Sequence, residues 1–312
     1  MKKTEKRDLM APLTELLGIQ YPILQGAMAH IARCPLVGAV SEAGGLGIIA
    51  AGGLSGTELR QQIRKTQRQT KKPFAVNLML QMPNIAEQVE VLIEEDVKIV
   101  TTGAGTPKPY MEALKQAGVK VFPVVPSVKL AQKMEQLGAD GVIAEGMEAG
   151  GHIGETTTMT LLPQVTPAVK IPVVAAGGIG DGRGMAAAFA LGARGIQMGT
   201  AFLTAKECPI HENYRQAIIQ ADDTATTVIR NQKGGALRGL KNALTESYLE
   251  EPTKDVFSLA ALKRAADDGE IQQGMAMAGQ VAGLLTEVRS AQEIIETIYK
   301  EAAAISRNSG IK

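Results

Sequence analysis

The chain has 312 residues, 45% of them apolar, with 33 basic and 32 acidic side chains and a formal net charge of +1. So balanced a charge gives no overall attraction to nucleic acid, and 3% aromatics without tryptophan argue against a stacking platform for single strands. Two cysteines make no disulfide or zinc framework. No run reaches the roughly 20 apolar residues of a membrane span, and the opening MKKTEKRDLMAP lacks an apolar signal core, so a soluble, cytoplasmic protein is expected.

Eight short apolar runs follow one another: YPILQGAM (21–28), LGIIAAG (46–52), FAVNLML (74–80), KIVTTGAG (98–105), KVFPVVPS (120–127), GVIAEGM (141–147), PVVAAGG (172–178) and GIQMGTAF (195–202). They are rich in Val and Ile, too short for helices, and bounded by Gly or Pro. Apolarity on both faces predicts buried parallel strands. Between them lie amphipathic helical patterns at 85–97, 109–117, 127–137 and 184–192, several closed by a glycine (Gly118, Gly138, Gly192) in the C-cap position.

Eight strand–helix alternations predict a (β/α)8 TIM barrel, with a doubly wound sheet as the alternative. After the eighth run the chain continues for some 80 residues without clear strand alternation. It ends in a strong amphipathic helix at 290–307. The expected organisation is a barrel of residues 1–205 plus 286–312, with a smaller cap domain, 206–285, inserted after strand 8 and lying over the catalytic face.

Strand ends converge at that face and here read QGAM, NLM, TTGAG, PVVPS, EGMEAGGHIG, AAGG and QMGT. Glycine abounds, charge is scarce, and no cluster has metal-ligand spacing, so a flat organic cofactor is favoured over a metal. Gly177-Gly178 and Gly199-Thr200 follow the seventh and eighth strands, where barrels commonly bind phosphate; tight turns alone are the other explanation. The string GLGIIA (45–50) matches GxGxxA, but a helix precedes it and the string is itself strand-like, the reverse of a dinucleotide fingerprint. His152 follows the sixth strand among glycines, where an imidazole can exchange a proton near neutral pH. His30 reads as the entry to a helix, and His211 as a surface loop residue.

QGAMA, GGLGII, FAVNLML, VTTGAG, PVVPS, AEGMEAGGHIG, TTMTLLPQV, AAGGI, QMGTAF and MAGQVAGL occur in this order. Together, from about Leu13 to the C-terminus, they resemble the FMN-dependent enoyl-acyl-carrier-protein reductase II group within the nitronate monooxygenase (2-nitropropane dioxygenase-like) family. GGHxG, AAGGI and QMGT belong to the whole family, whereas VTTGAG, EGMEAGGHIG with TTMTL, LKNAL and MAGQVAGL look more like the reductase branch. The resemblance implies that Gly26, Ala27 and Met28 lie against the flavin ring and that Asn77 bonds its edge. Glu145, Gly150 and Gly151 would line the ring and ribityl region. Gly177, Gly178, Gln197, Met198, Gly199 and Thr200 would hold the ribityl chain and phosphate, and His152 would be the catalytic or substrate-orienting histidine. Ala27 stands where reductase relatives often carry a second glycine.

The implied reaction is NAD(P)H-dependent reduction of a trans-2-enoyl thioester of acyl carrier protein, the last step of fatty-acid elongation. Nitronate oxidation with FMN and O2 is the alternative. NADH and NADPH both stay open as reductant, because no separate Rossmann unit carries a 2′-phosphate selector. A monovalent cation and a homodimer are further family expectations. Arg230, Lys233, Arg238 and Lys241 fall within a stretch free of acidic residues, 224–243. They form either a solvated basic loop or a docking patch for acyl carrier protein.

Overall fold

The computed structural model describes residues 13–231, 234–252 and 256–309. The strands are β1 (Ile23–Gln25), β2 (Gly47–Ala50), β3 (Phe74–Met79), β4 (Ile99–Gly103), β5 (Lys120–Val125), β6 (Val142–Glu145), β7 (Gly151–His152), β8 (Val173–Ala176), β9 (Gly195–Met198), β10 (Thr226–Arg230) and β11 (Ala236–Leu240). The helices are α1 (Leu13–Leu17), α2 (Cys34–Glu42), α3 (Gly56–Gln69), α4 (Ile85–Glu94), α5 (Met111–Gln116), α6 (Val128–Gln136), α7 (Thr158–Val165), α8 (Gly182–Ala190), α9 (Thr200–Leu203), α10 (Glu212–Ile219), α11 (Ala243–Glu250), α12 (Leu259–Ala266) and α13 (Ala291–Ser309).

Each of the eight apolar runs becomes one strand of a parallel sheet, in the order β1-β9-β8-β6-β5-β4-β3-β2. A parallel bridge between Leu24 and Leu46 joins the two ends, so the sheet closes into the expected (β/α)8 barrel. Buried Leu24, Ile48, Ala75, Ile99, Phe122, Ile143 and Val174 share one cluster and fill the lumen. Their strand neighbours point outward: Ile49, Val76, Val100 and Val121 pack in a second cluster beneath the surrounding helices. Alternation along buried strands therefore builds two apolar layers at once. Capping residues fix where helices begin: Ser55 and Glu58 form a reciprocal capping box on α3, and Asp181 accepts from the Gly184 N–H at the start of α8.

Past β9 the structure departs from the reading of a segment without strands. β10 and β11 pair as an antiparallel hairpin, and β11 also pairs with the two-residue β7. This three-stranded sheet, with α11 and α12, encloses a small core of its own: Ile229, Leu237, Tyr248, Val256, Ala261, Leu262 and Met275. The hairpin therefore seats the loop carrying His152, whose backbone is in register with Leu237. Residues 280–284 form a 3-10 turn that returns the chain to the barrel, where α13 packs against α8 and α2. No helix among the described residues is long and apolar enough to cross a membrane.

Candidate active site

A cavity of about 500 Å³ lies between the C-terminal strand ends and the post-β9 elements. It brings together all fourteen residues expected at a flavin site. Gly26, Ala27 and Met28 follow β1; Asn77 is in β3 and Glu145 ends β6; Gly150, Gly151 and His152 form the approach to β7 and β7 itself; Gly177 and Gly178 follow β8; Gln197 and Met198 end β9, and Gly199 and Thr200 open α9. Phe257, Leu259, Leu262 and Met277 add an apolar wall from the far side.

Most of the rim is held by backbone geometry. Gly177 and Gly178 both adopt left-handed φ, +86° and +72°, which side chains rarely tolerate. A Cβ on Gly177 would also lie 2.7 Å from the Gly146 carbonyl. The Asn77 amide donates to Thr101 Oγ1 at 2.9 Å, which orients its carbonyl end. The Thr200 hydroxyl accepts from the Gly279 N–H at 2.9 Å, and its own proton remains available to donate.

Two of the glycines near His152 line the cavity and also permit close chain packing. A Cβ on Gly150 would meet the Ala278–Gly279 backbone at 2.7 Å, and one on Gly154 would meet Pro126 at 2.6 Å. At both positions the missing side chain lets chain segments come together beside the cavity. Glu148, absent from the sequence-based site, ties this loop down. Its carboxylate accepts from the Thr158 N–H at 2.9 Å and from the Thr158 hydroxyl at 3.0 Å, placing negative charge at the start of α7. Its own carbonyl accepts from Gln280 N at 2.9 Å. Nothing in a sequence pattern marks a carboxylate that caps a helix ten residues ahead.

Desolvation acts in opposite directions on two ionisable groups of the wall. Desolvation pushes the Glu145 carboxyl up from its ordinary 4.5 to about 7, and it lowers the pKa of His152. Near neutral pH the imidazole is uncharged and the carboxyl holds much of its proton. The other two histidines lie elsewhere. His30 stands in a turn with φ +68°, not at a helix entry, and its Nε2 is 2.7 Å from Asp267 Oδ2. His211 caps α10, accepting from Asn213 N at 3.1 Å.

The basic residues do not form one exposed patch. Arg238 is only 5% exposed; its guanidinium donates to the Met147 carbonyl and to Thr226 Oγ1, both at 3.1 Å. It fastens the hairpin to the His152 loop, and its charge is unavailable to a partner surface. Arg230 and Lys241 are exposed but sit at opposite ends of the hairpin ladder, and Arg230 lies 3.9 Å from Glu155. Lys233 lies outside the described residues.

The family model for nitronate monooxygenase matches residues 10–90 and 83–301. The chain belongs to the nitronate monooxygenase family. Members of this family are FMN-dependent flavoenzymes and oxidoreductases. Among solved structures, the chain is similar to FabK from Thermotoga maritima at 45% identity and TM-score 0.91, covering 96% of this chain and 98% of that one. Among curated relatives is a (3aS,4S,5R,7aS)-5-hydroxy-7a-methyl-1-oxo-octahydro-1H-indene-4-carboxyl-CoA dehydrogenase of Mycobacterium tuberculosis, 36% identical over 94% of this chain and 96% of the relative. Another is a probable nitronate monooxygenase of Staphylococcus saprophyticus, 35% identical over 95% and 99%.

Proposed function

We propose that this nitronate monooxygenase family member is an enoyl-thioester reductase: it takes electrons from NADH or NADPH and reduces a trans-2-enoyl group carried by acyl carrier protein. The likeness to FabK, at 45% identity over nearly the whole chain, carries the reading. The Mycobacterium tuberculosis relative, named for a CoA thioester, supports thioester chemistry on this scaffold.

The cavity fits FMN. Its volume lies in the ~300–1,000 Å³ range of small-molecule sites, and among the described residues its lining includes no lysine or arginine. Phosphate would accordingly be held by backbone N–H groups of the turns at Gly177-Gly178 and Gly199-Thr200, together with the Thr200 hydroxyl. Gly26, Ala27 and Met28 would support one side of the ring and Asn77 its edge, with Glu145, Gly150 and Gly151 alongside. When bound, FMN supplies a two-electron relay, taking a hydride from the nicotinamide and giving it to the β-carbon of the acceptor.

The protein's own groups then bind, orient and protonate. Phe257, Leu259, Leu262 and Met277 form an apolar wall suited to an acyl chain, and residues 206–285 act as the cap that supplies it. A neutral His152 is an N–H donor for the thioester oxygen, where negative charge develops as hydride arrives. Acyl carrier protein is proposed from the FabK likeness and not from the hairpin charges, since Arg238 is buried. His152→Ala tests the assignment: flavin is retained and enoyl reduction falls by about 10²-fold or more. Full activity in a flavin-loaded variant would refute the role. Nitronate oxidation is the second reading, favoured by the Staphylococcus saprophyticus relative. It predicts flavin reduction by a nitronate and a poor response to NADH.

A further inference from the structure

Any reduction of a carbon–carbon double bond by hydride also needs a proton, and the wall of the cavity offers few sources. Among the described residues, three ionisable side chains line it: Glu145, Glu148 and His152. Glu148 is committed elsewhere, since its carboxylate accepts from both the N–H and the hydroxyl of Thr158 and faces the Arg238 charge. Its oxygens are thus occupied as acceptors at the start of α7. His152 lies on the exposed rim, on β7, and desolvation favours its neutral form, which has no spare proton to lose near pH 7.

Glu145 differs from both. It is the last residue of β6, in register with Ala176 of β8, so it stands half-buried at the barrel mouth. It lines the cavity, and no hydrogen bond or ion pair within the protein satisfies it among the described residues. A carboxylate so placed loses hydration without gaining a partner and therefore keeps its proton. The neighbouring polar side chains on the wall, Asn77, Gln197 and Thr200, carry no charge.

We propose that Glu145 is the proton source of the reaction, protonating the α-carbon of the acceptor while hydride reaches the β-carbon; this rests on the enoyl-reductase reading above. The step balances. The π bond breaks, the β-carbon gains H⁻ from the reduced nicotinamide by way of the cofactor, and the α-carbon gains H⁺ from the Glu145 O–H. The carboxylate left behind recovers a proton from solvent. His152 then holds and polarises the thioester oxygen, and the two roles fall to two residues.

The test compares wild type, Glu145→Gln and Glu145→Asp as FMN-loaded proteins by anaerobic stopped-flow. Glutamine keeps the shape and has no proton to give. In Glu145→Gln, reoxidation of the reduced flavin by crotonyl thioester slows about 10²-fold or more relative to its reduction by nicotinamide. The wild-type reoxidation rate falls as pH rises through about 7, and that dependence disappears in the glutamine variant. Glu145→Asp recovers at least a tenth of the rate together with the pH dependence. A separate readout needs no substrate: the infrared C=O stretch of a protonated carboxyl, lost between about pH 6 and pH 8 in wild type and missing in Glu145→Gln. Glutamine-variant reoxidation within about threefold of wild type, with an unchanged pH profile, overturns the proposal, as does the absence of such a titrating band. If no enoyl thioester reoxidises the wild-type flavin, the reaction reading itself falls, while the infrared titration still decides whether Glu145 carries the exchangeable proton.

Discussion

Replacing Glu145 by glutamine should make the flavin-free protein more stable at neutral and alkaline pH, by an amount that grows with pH. In the unfolded chain the carboxyl titrates near 4.5, and in the fold burial raises it to about 7. Between those values the folded state binds a proton that the unfolded state has released, so stability conferred by the neutral acid drains away as pH rises. Above about 7 the full penalty is present. At about 1.4 kcal/mol for each pH unit separating the two values, the ceiling is about 3 kcal/mol. Integrated between pH 5 and pH 8, the linkage gives a change of about 2.5 kcal/mol. Glutamine does not titrate and escapes this term. Urea unfolding of both proteins at pH 5 and pH 8 measures the difference directly. The stability gap, glutamine minus glutamate, should widen by about 2 kcal/mol or more over that range. A gap constant to within about 0.5 kcal/mol would refute the claim that this carboxyl is desolvated without a partner.

Three further outcomes follow from the packing. Tyr214→Phe removes a buried hydroxyl that donates to the Met277 carbonyl at 2.7 Å; the orphaned acceptor should cost about 1–2 kcal/mol in denaturant unfolding, and an unchanged midpoint would show that the bond contributes nothing. Gly177→Ala must carry a side chain at φ +86°, 2.7 Å from the Gly146 carbonyl, so a loss of ~1–2 kcal/mol and a drop of about tenfold or more in FMN affinity are expected by fluorescence titration. Glu148→Gln keeps an acceptor but removes the charge at the start of α7, and should cost roughly 1 kcal/mol, more at low ionic strength than in high salt.

The barrel was legible because its signal is local. Runs such as GIIA and VVAA are buried on both faces, so each advertises a strand without reference to the rest of the chain. The rim followed, since a barrel brings every strand end to one place. The sheet that seats His152 was not legible. β7 is two residues long, and ALRGL carries an arginine and a glycine although all five of its positions are buried. The cue that could have exposed the hairpin was TTVIR, a β-branched run followed by a Gly-Gly loop. Arg238 misled for a related reason: charge on a sequence reads as surface, whereas here the guanidinium is enclosed by Met147 and Thr226. Glu148 and Met277 enter the site through tertiary contacts that no spacing rule encodes.

The central claim, that a nicotinamide feeds electrons to an enoyl thioester through a flavin held in this cavity, is tested most directly by one anaerobic titration of the purified flavoprotein. Reduction by NADH or NADPH followed by complete reoxidation on adding crotonyl thioester is the predicted result. Flavin that stays oxidised with both nicotinamides yet is bleached by a nitronate would contradict it.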